Sequence, residues 1–224
     1  MNSAAPIVQQ KVRIGRFAPS PTGPLHFGSL VAAVGSYLDA RAAGGQWLLR
    51  IEDVDRPRAV PGISEEQCAV LEAYGFEWDG AILRQSERSS IYQAALDRLI
   101  AAGLAYPCDC TRSRIAAEPG VRTGVDGLVY PGRCAVWEPG MPVPASAAWR
   151  FRVPAGEIGF EDRVRGHVAQ NLMRDVGDFP LLRADGWQAL EFLGQRPEAG
   201  LRKATQQTLW DWALSHWSLA DVPR

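Results

Sequence analysis

Lysine is almost absent from this chain. Of its 24 basic residues only Lys11 and Lys203 are lysine, and the rest are arginine. A Walker A loop, which needs a lysine behind a run of glycines, is not present, and neither is the G-x-G-x-x-G dinucleotide pattern. An excess of either charge sign is missing as well. The net charge is −1 over 224 residues, so no global positive field marks a nucleic-acid partner and any such contact has to be local. No apolar run approaches the roughly 18 residues of a membrane span. Met1 to Gln10 has no basic start and no long apolar stretch, so no signal peptide is expected and the cytoplasm is the default. Four cysteines in a cytoplasmic chain are not expected to form a disulfide framework, and any grouping among them leans toward metal.

What is present is ordinary globular composition, 46% hydrophobic and 22% charged. The length allows a sizeable core in one large domain, or one domain with a small insert. Val12 to Phe17 alternates as a strand and is followed by a dense turn, Ala18 to Pro24. From Ser29 the apolar residues Leu30, Val31, Val34, Leu38 and Ala42 fall at helical spacing, and Gly44-Gly45 stops the pattern. Trp47 to Ile51 reads as a buried strand. Strand, loop, helix and strand make a βαβ unit, hence an α/β fold with a parallel sheet.

Ser64 to Tyr74 is a second helix, with Ser64 and Gln67 at capping-box spacing and Cys68 as a small core residue. Ser89 or Ser90 starts a third, through Leu96 and Leu99 to Gly103. Tyr106 to Arg152 is rich in Gly and Pro with weak periodicity, and reads as an inserted subdomain held by something other than a core. Short strands follow from Trp149. Near the end Trp210, Ala213, Leu214 and Trp217 form a helical stripe suited to core packing. The expected organisation is a nucleotide- and amino-acid-binding half over 1–105, an insert over 106–152, a return to the main domain over 153–186, and a helical segment over 187–224.

Three constellations carry chemistry. The first is Arg16-Phe-Ala-Pro-Ser-Pro-Thr-Gly-Pro-Leu-His26-Phe-Gly-Ser29, between a strand and a helix N-terminus, where free amides and the helix dipole favour an anion. Gly23 and Gly28 permit close backbone approach, and His26 projects as a donor toward a phosphate. The second is Arg50-Ile-Glu52-Asp-Val-Asp55-Arg56-Pro57-Arg58 at the carboxyl end of the next strand, where ligands of open α/β sheets bind. Part of this run, Asp53, Asp55, Arg56 and Arg58, equally suits a solvated turn with internal ion pairs. The third is Cys108-Asp-Cys110-Thr-Arg with Tyr130-Pro-Gly-Arg-Cys134. Three thiolates suit a tetrahedral zinc but leave one ligand short, with Tyr130, Asp126, His167 or water as alternatives.

The first constellation resembles the opening signature of class I aminoacyl-tRNA synthetases, with His26-Phe27-Gly28-Ser29 in place of H-I-G-H, in its glutamyl and glutaminyl form. R-I-E-D-x-D fits the same group. The C-x-C-T-R and Y-x3-C pattern is similar to that of the glutamyl-queuosine tRNA(Asp) synthetases, a shortened relative of the glutamyl enzymes without an anticodon-binding domain. The resemblance runs from about Val12 to Gly186, resumes at Leu190 to Gly194 and continues to Trp217 to Pro223.

It implies a Rossmann-like catalytic domain with a small zinc subdomain. It also implies ATP-dependent activation of L-glutamate, with Mg²⁺ accompanying ATP, and transfer to queuosine in the anticodon of tRNA(Asp). Arg16, Phe17, Ala18, Pro19, Ser20 and Glu52 would hold the glutamate, and Pro19, His26, Gly28 and Ser29 the ATP. His26 and Ser29 would be catalytic. Cys108, Cys110, Tyr130 and Cys134 would bind one structural zinc. A monomer with no membrane contact is expected.

One part of the pattern is missing. Between Gly186 and Leu190 the family carries a long stretch that includes a K-M-S-K-S-type loop, whose lysine neutralises the triphosphate. Lys203, in Arg-Lys-Ala-Thr-Gln, does not reproduce it. Either the chain has an internal deletion or the sequence as read skips a stretch. A shortened glutamyl-tRNA synthetase and a catalytically inactive nucleotide- or tRNA-binding remnant are the other readings.

Overall fold

The computed structural model describes residues 13–124, 127–162 and 166–184. Lys11, Lys203, Asp126, the step from Gly186 to Leu190 and the Trp210 to Trp217 stripe lie outside the described residues. The chain forms two compact units, 1–89 and 90–224.

In the first unit β1 (Ile14–Phe17), α1 (Phe27–Ala42) and β2 (Gln46–Ile51) form the expected βαβ unit. It is followed by α2 (Ile63–Ala73) and β3 (Leu83–Arg84). The sheet order is β1-β2-β3 and both pairings are parallel, with Arg16 opposite Leu48 and Ile51 opposite Arg84. Gly15 lets α1 lie close on β1, because a Cβ there would come within 2.8 Å of the Ala40 Cβ and the Ser36 carbonyl. Trp47 is fully buried, stacked on Phe76 at 5.4 Å and edge-on to Tyr37 at 5.1 Å, and its indole N–H donates to Ser36 Oγ at 2.9 Å. A residue so placed anchors the core, and truncating it to alanine costs about 3–5 kcal/mol.

The helical stripe read from the sequence is not the buried face of α1. Leu30 does pack on the core, but the rest of the core face is Ala33, Tyr37 and Ala40, while Val31, Val34 and Leu38 are exposed together with Phe27. The small residues face the sheet because close helix–strand contact demands them. The large ones lie on a side that no described residue covers.

The capping box does not form either. The N-cap of α2 is Gly62, with φ +83° and no side-chain cap, and Ser64 instead accepts from Arg84 at 3.1 Å. Gln67 is turned elsewhere, as described below. The half-buried Cys68 packs against the core, as expected.

Asp79 ties the end of β2's helix connection to the sheet. Its carboxylate accepts from the Trp47 amide at 2.7 Å and from Arg41 at 2.8 Å. The Trp47 N–H holds the carboxyl below its ordinary range, a burial effect opposes this, and Arg41 adds to the lowering. A depressed carboxylate pKa stabilises above the unfolded value of about 3.9 and loses that contribution as pH falls through the lower folded value. Asp79→Asn is therefore expected to be less stable than the parent near neutrality, with the gap closing in acid. Urea midpoints from about pH 6 down to about pH 2.5 check this.

The second unit opens with α3 (Ser89–Ala101), then β4 (Ala105–Cys108), α4 (Arg112–Ala116) and a minimal hairpin of β5 (Thr123–Gly124) and β6 (Gly127–Leu128). β7 (Ala148–Phe151), β8 (Ile158–Asp162), β9 (Gly166–Gln170), α5 (Leu172–Asp175) and β10 (Pro180–Leu182) complete it. β7 is the centre of an antiparallel sheet, flanked by β4 and β10, and β8 pairs with β9 as a separate hairpin. Leu96, Leu99, Phe151, Val153, Leu172, Phe179 and Leu181 form its main core.

The stretch from Tyr106 to Arg152 is not without a core, contrary to the sequence reading. Tyr106, Cys108, Ile115, Tyr130 and Trp137 are buried together, with Trp149 edge-on to Trp137 at 5.5 Å. Tyr106 and Cys108 come from β4, Ile115 from the short α4, and Tyr130 and Trp137 from outside any helix or strand, so no single periodicity announces them. Among the described residues no helix is long and apolar enough to cross a membrane.

Candidate functional site

In the first unit the loop from Ala18 to Leu25 connects β1 to α1 and is held from below by its own carbonyls. The Glu52 amide donates to the Pro19 carbonyl at 2.9 Å, and the Val60 amide to that of Pro21 at 2.8 Å. The Gln67 side-chain amide donates to Ser20 at 3.1 Å and Gly23 at 2.7 Å. Pro19 and Pro21 are buried, so the prolines stiffen the loop and also seat it.

His26 is the N-cap of α1. Its Nδ1 accepts from the Ser29 amide at 3.2 Å, and its carbonyl accepts from Ser29 at 2.9 Å and Leu30 at 3.2 Å. With Nδ1 taken up as acceptor, Nε2 is the ring nitrogen left to donate to a ligand. Gly28 leaves the ring room beside it: a Cβ there would lie 3.1 Å from the imidazole Cε1, so the ring would have to shift. Phe27 and Gly28 occupy the first helical positions, whose amides have no intrahelical acceptor. Ser29 sits half-buried in the same turn.

Arg16 lies on β1 opposite Leu48, so by strand alternation it shares a sheet face with Leu48 and Arg50. Glu52, just past β2, is buried at 3% exposure and ion-paired with Arg50. Phe17 faces the other way and stacks on Trp47 at 6.3 Å, which commits its ring to the core and leaves only its main chain for a ligand. Ala18 and Ser20 are half-buried in the loop. Of the charged run after β2, Asp55 pairs with Arg58, and Asp53 accepts from the Ser86 amide at 2.8 Å and hydroxyl at 2.7 Å. These aspartates have structural partners of the internal kind.

In the second unit the four polar side chains expected around zinc converge. The sulfurs of Cys108, Cys110 and Cys134 lie within 4.8 Å of one another. Cys110 and Cys134 are 3.6 Å apart, and the Tyr130 hydroxyl is 3.3 Å from Cys108 and 3.7 Å from Cys110. A tetrahedral zinc with Zn–S near 2.3 Å has sulfur–sulfur edges of about 3.8 Å, so this donor set fits the ion. His167 is not part of it: it sits on β9, paired with Glu161 at 2.7 Å.

Crowding shows in the ionisation of these groups. Burial raises the Cys110 thiol most, the Tyr130 hydroxyl opposes this, and Cys134 and Cys108 add to the rise, to about 11. Burial also pushes Tyr130 well above the ordinary phenol range, and its bond to Cys108 pushes it further. Cys108 stays below the usual thiol value because bonds to Tyr130, the Cys110 amide and Arg150 outweigh its burial.

Sequence reasoning missed the supports. Arg150 and Arg152, two apart on one face of the chain at β7, lie over the rings of Tyr130 at 4.0 Å and Tyr106 at 4.9 Å. Arg152 also donates to the carbonyls of Gly103 at 3.0 Å and Ala135 at 2.7 Å, which ties the cysteine loop to the sheet. Asp178 accepts from the Tyr106 hydroxyl and from the Val153 amide at 2.9 Å. The i, i+2 arginines were the available signal.

Comparison with known proteins follows the same lines. Residues 11–187 match the family model "tRNA synthetases class I (E and Q), catalytic domain". The "Glutamyl-Q tRNA(Asp) synthetase" of Dechloromonas aromatica is 60% identical over 174 residues, 77% of this chain and 56% of that protein. The chain thus spans little more than half the length of that relative. A protein of the same name from Aromatoleum aromaticum is 39% identical over 291 aligned positions, covering 94% of this chain and 90% of that protein. Against 224 residues, 291 positions leave at least 67 (291 less 224) with no counterpart here. Among solved structures, a glutamate tRNA ligase from Elizabethkingia meningosepticum in complex with its amino acid is similar at a TM-score of 0.63 and 31% identity, over 80% of this chain and 40% of that one.

Proposed function

The chain belongs to the class I tRNA synthetases of the E and Q type, in their glutamyl-Q tRNA(Asp) branch, and on that footing we propose that it activates L-glutamate with ATP for transfer to queuosine in tRNA(Asp). The observation that carries this is the loop between β1 and α1, held by its carbonyls and ending on the His26 N-cap beside the carboxyl end of β2. Arg16 would pair with a glutamate carboxylate and Glu52 with its α-ammonium, with Ala18 and Ser20 and the main chain of Phe17 and Pro19 completing the cradle. His26 Nε2–H and the first amides of α1, at Phe27 and Gly28, would face the phosphates, and Ser29 holds the imidazole through its amide. The glutamate carboxylate attacks the α-phosphorus and pyrophosphate leaves, so donors already in place at the phosphates lower the barrier.

Mg²⁺ comes with the ATP. Cys108, Cys110, Tyr130 and Cys134 hold one zinc, which fixes the loop around them. A second reading, a binding remnant without turnover, is favoured by one observation: no lysine outside Lys11 and Lys203 exists to serve the triphosphate. Labelled glutamate with ATP separates the possibilities. Label on the anticodon part of tRNA(Asp) supports the proposal. Label on the 3′ end of tRNA(Glu) would show an ordinary glutamyl-tRNA synthetase, and tight binding of glutamate and ATP without any transfer would show the remnant.

A further inference from the structure

Gln67 has no place in any of the three chemical constellations, yet its side chain grips the phosphate-side loop. It projects from the second turn of α2, is 2% exposed, and gives both protons of its amide to the loop, to the carbonyls of Ser20 and Gly23. Its own Oε1 is buried with no partner among the described residues. A glutamine retained with its acceptor unpaired serves through its donors, since a buried acceptor left alone is unfavourable.

Of the two carbonyls it takes, that of Gly23 has no backbone donor among the described residues, and that of Ser20 also accepts from the Thr22 amide at 2.9 Å. The amides of Glu52 and Val60 engage Pro19 and Pro21, and the prolines at 19, 21 and 24 supply no N–H of their own. With Gln67 in place, the carbonyls of residues 19, 20, 21 and 23 all accept hydrogen bonds from elsewhere in the unit. A carbonyl oxygen released next to an anion site would repel the anion, and a released loop would let His26 turn off its cap.

We infer that Gln67 is a positioning residue for phosphate binding: it engages the Gly23 carbonyl, braces that of Ser20, and fixes the loop that sets His26 on the α1 N-terminus. This rests on the reading of that N-terminus as the ATP-phosphate site. Its effect passes through the loop, since the residue belongs to α2 and not to the loop itself.

The test uses the full chain, with Mg·ATP and inorganic pyrophosphate as probes in calorimetry, well below each variant's melting temperature. Gln67→Met keeps the shape and removes the donors, Gln67→Asn keeps a shorter amide, and Cys68→Ala perturbs the same helix at the next position while leaving the Gln67 amide in place. The expected result is weaker binding of both probes by about tenfold or more in Gln67→Met, as misplacement of a positioned group produces. Gln67→Asn should fall between it and the parent, and Cys68→Ala should bind as the parent does even if it melts lower.

Nitrogen NMR of His26 should show one tautomer, protonated on Nε2, in the parent and a mixture in Gln67→Met. Unchanged affinity and an unchanged imidazole in a folded Gln67→Met or Gln67→Asn variant would overturn the inference while leaving the phosphate site standing. A parent protein that binds neither probe would overturn both.

Discussion

Removing metal with a strong chelator is expected to release one zinc per chain and to loosen the region from Tyr106 to Trp149. Four donors converge there, three thiols and the Tyr130 hydroxyl, in a small core built partly from the ligands themselves. Zinc binding contributes about 10–16 kcal/mol in isolated zinc-finger peptides, where it is the folding free energy. Here Tyr106, Ile115 and Trp137 supply some core of their own, so the loss is smaller but still large. A melting point lower by roughly 10 °C or more follows from a few kcal/mol in a chain of this size. The edge-on pair Trp137 and Trp149 gives the readout, as a change in tryptophan fluorescence. Cys110→Ser and Cys134→Ser should reproduce the loss without chelator. Tyr130→Phe should keep the fold and bind zinc more weakly, by at least the roughly 10–100-fold that a lost outer partner costs. A folded parent protein with no metal and the same melting point would remove the zinc proposal.

The sequence shows the βαβ unit because three independent signals agree there: alternation into Phe17, the Gly44-Gly45 stop, and the buried run from Trp47 to Ile51. It misleads on the faces of α1 because periodicity counts large apolar residues, whereas the strand contact selects small ones at Ala33 and Ala40. Phe27, Val31, Val34 and Leu38 make an equally regular stripe, and only the structure shows that it faces outward. Gln67 was hidden by a stronger pattern. Its spacing from Ser64 spells a capping box, and nothing local reveals that its amide reaches carbonyls more than forty residues earlier in the chain. Tyr130 could not be chosen by spacing over Asp126 or His167. Its partners come together through the pairing of β4 with β7 and the stacking of Arg150, which are long-range facts.

Inserting the missing stretch of a full-length relative between Gly186 and Leu190 is expected to raise glutamate-dependent ATP–pyrophosphate exchange by about a hundredfold or more. One preorganised donor at a developing charge is commonly worth roughly 10²–10³ in rate, and a lysine at the triphosphate is a donor of that kind. The family model ends at residue 187, and the Aromatoleum aromaticum alignment needs at least 67 (291 less 224) positions that this chain lacks, both consistent with a segment missing after Gly186. The sheet agrees with this: among the described residues β1 has a strand neighbour on one side only, and the outer face of α1 is apolar and uncovered. Further strands beyond β1 are where the doubly wound pattern places them. The graft should therefore act on stability as well as rate, burying Val31 and Leu38 and quenching their binding of an apolar dye. Glutamate and ATP affinity should change less than the exchange rate, because the first unit already carries Arg16, Glu52 and the His26 loop. Exchange by the parent chain as fast as by the graft would show that the phosphates are served without a lysine loop, and that the arginine-rich first unit is enough.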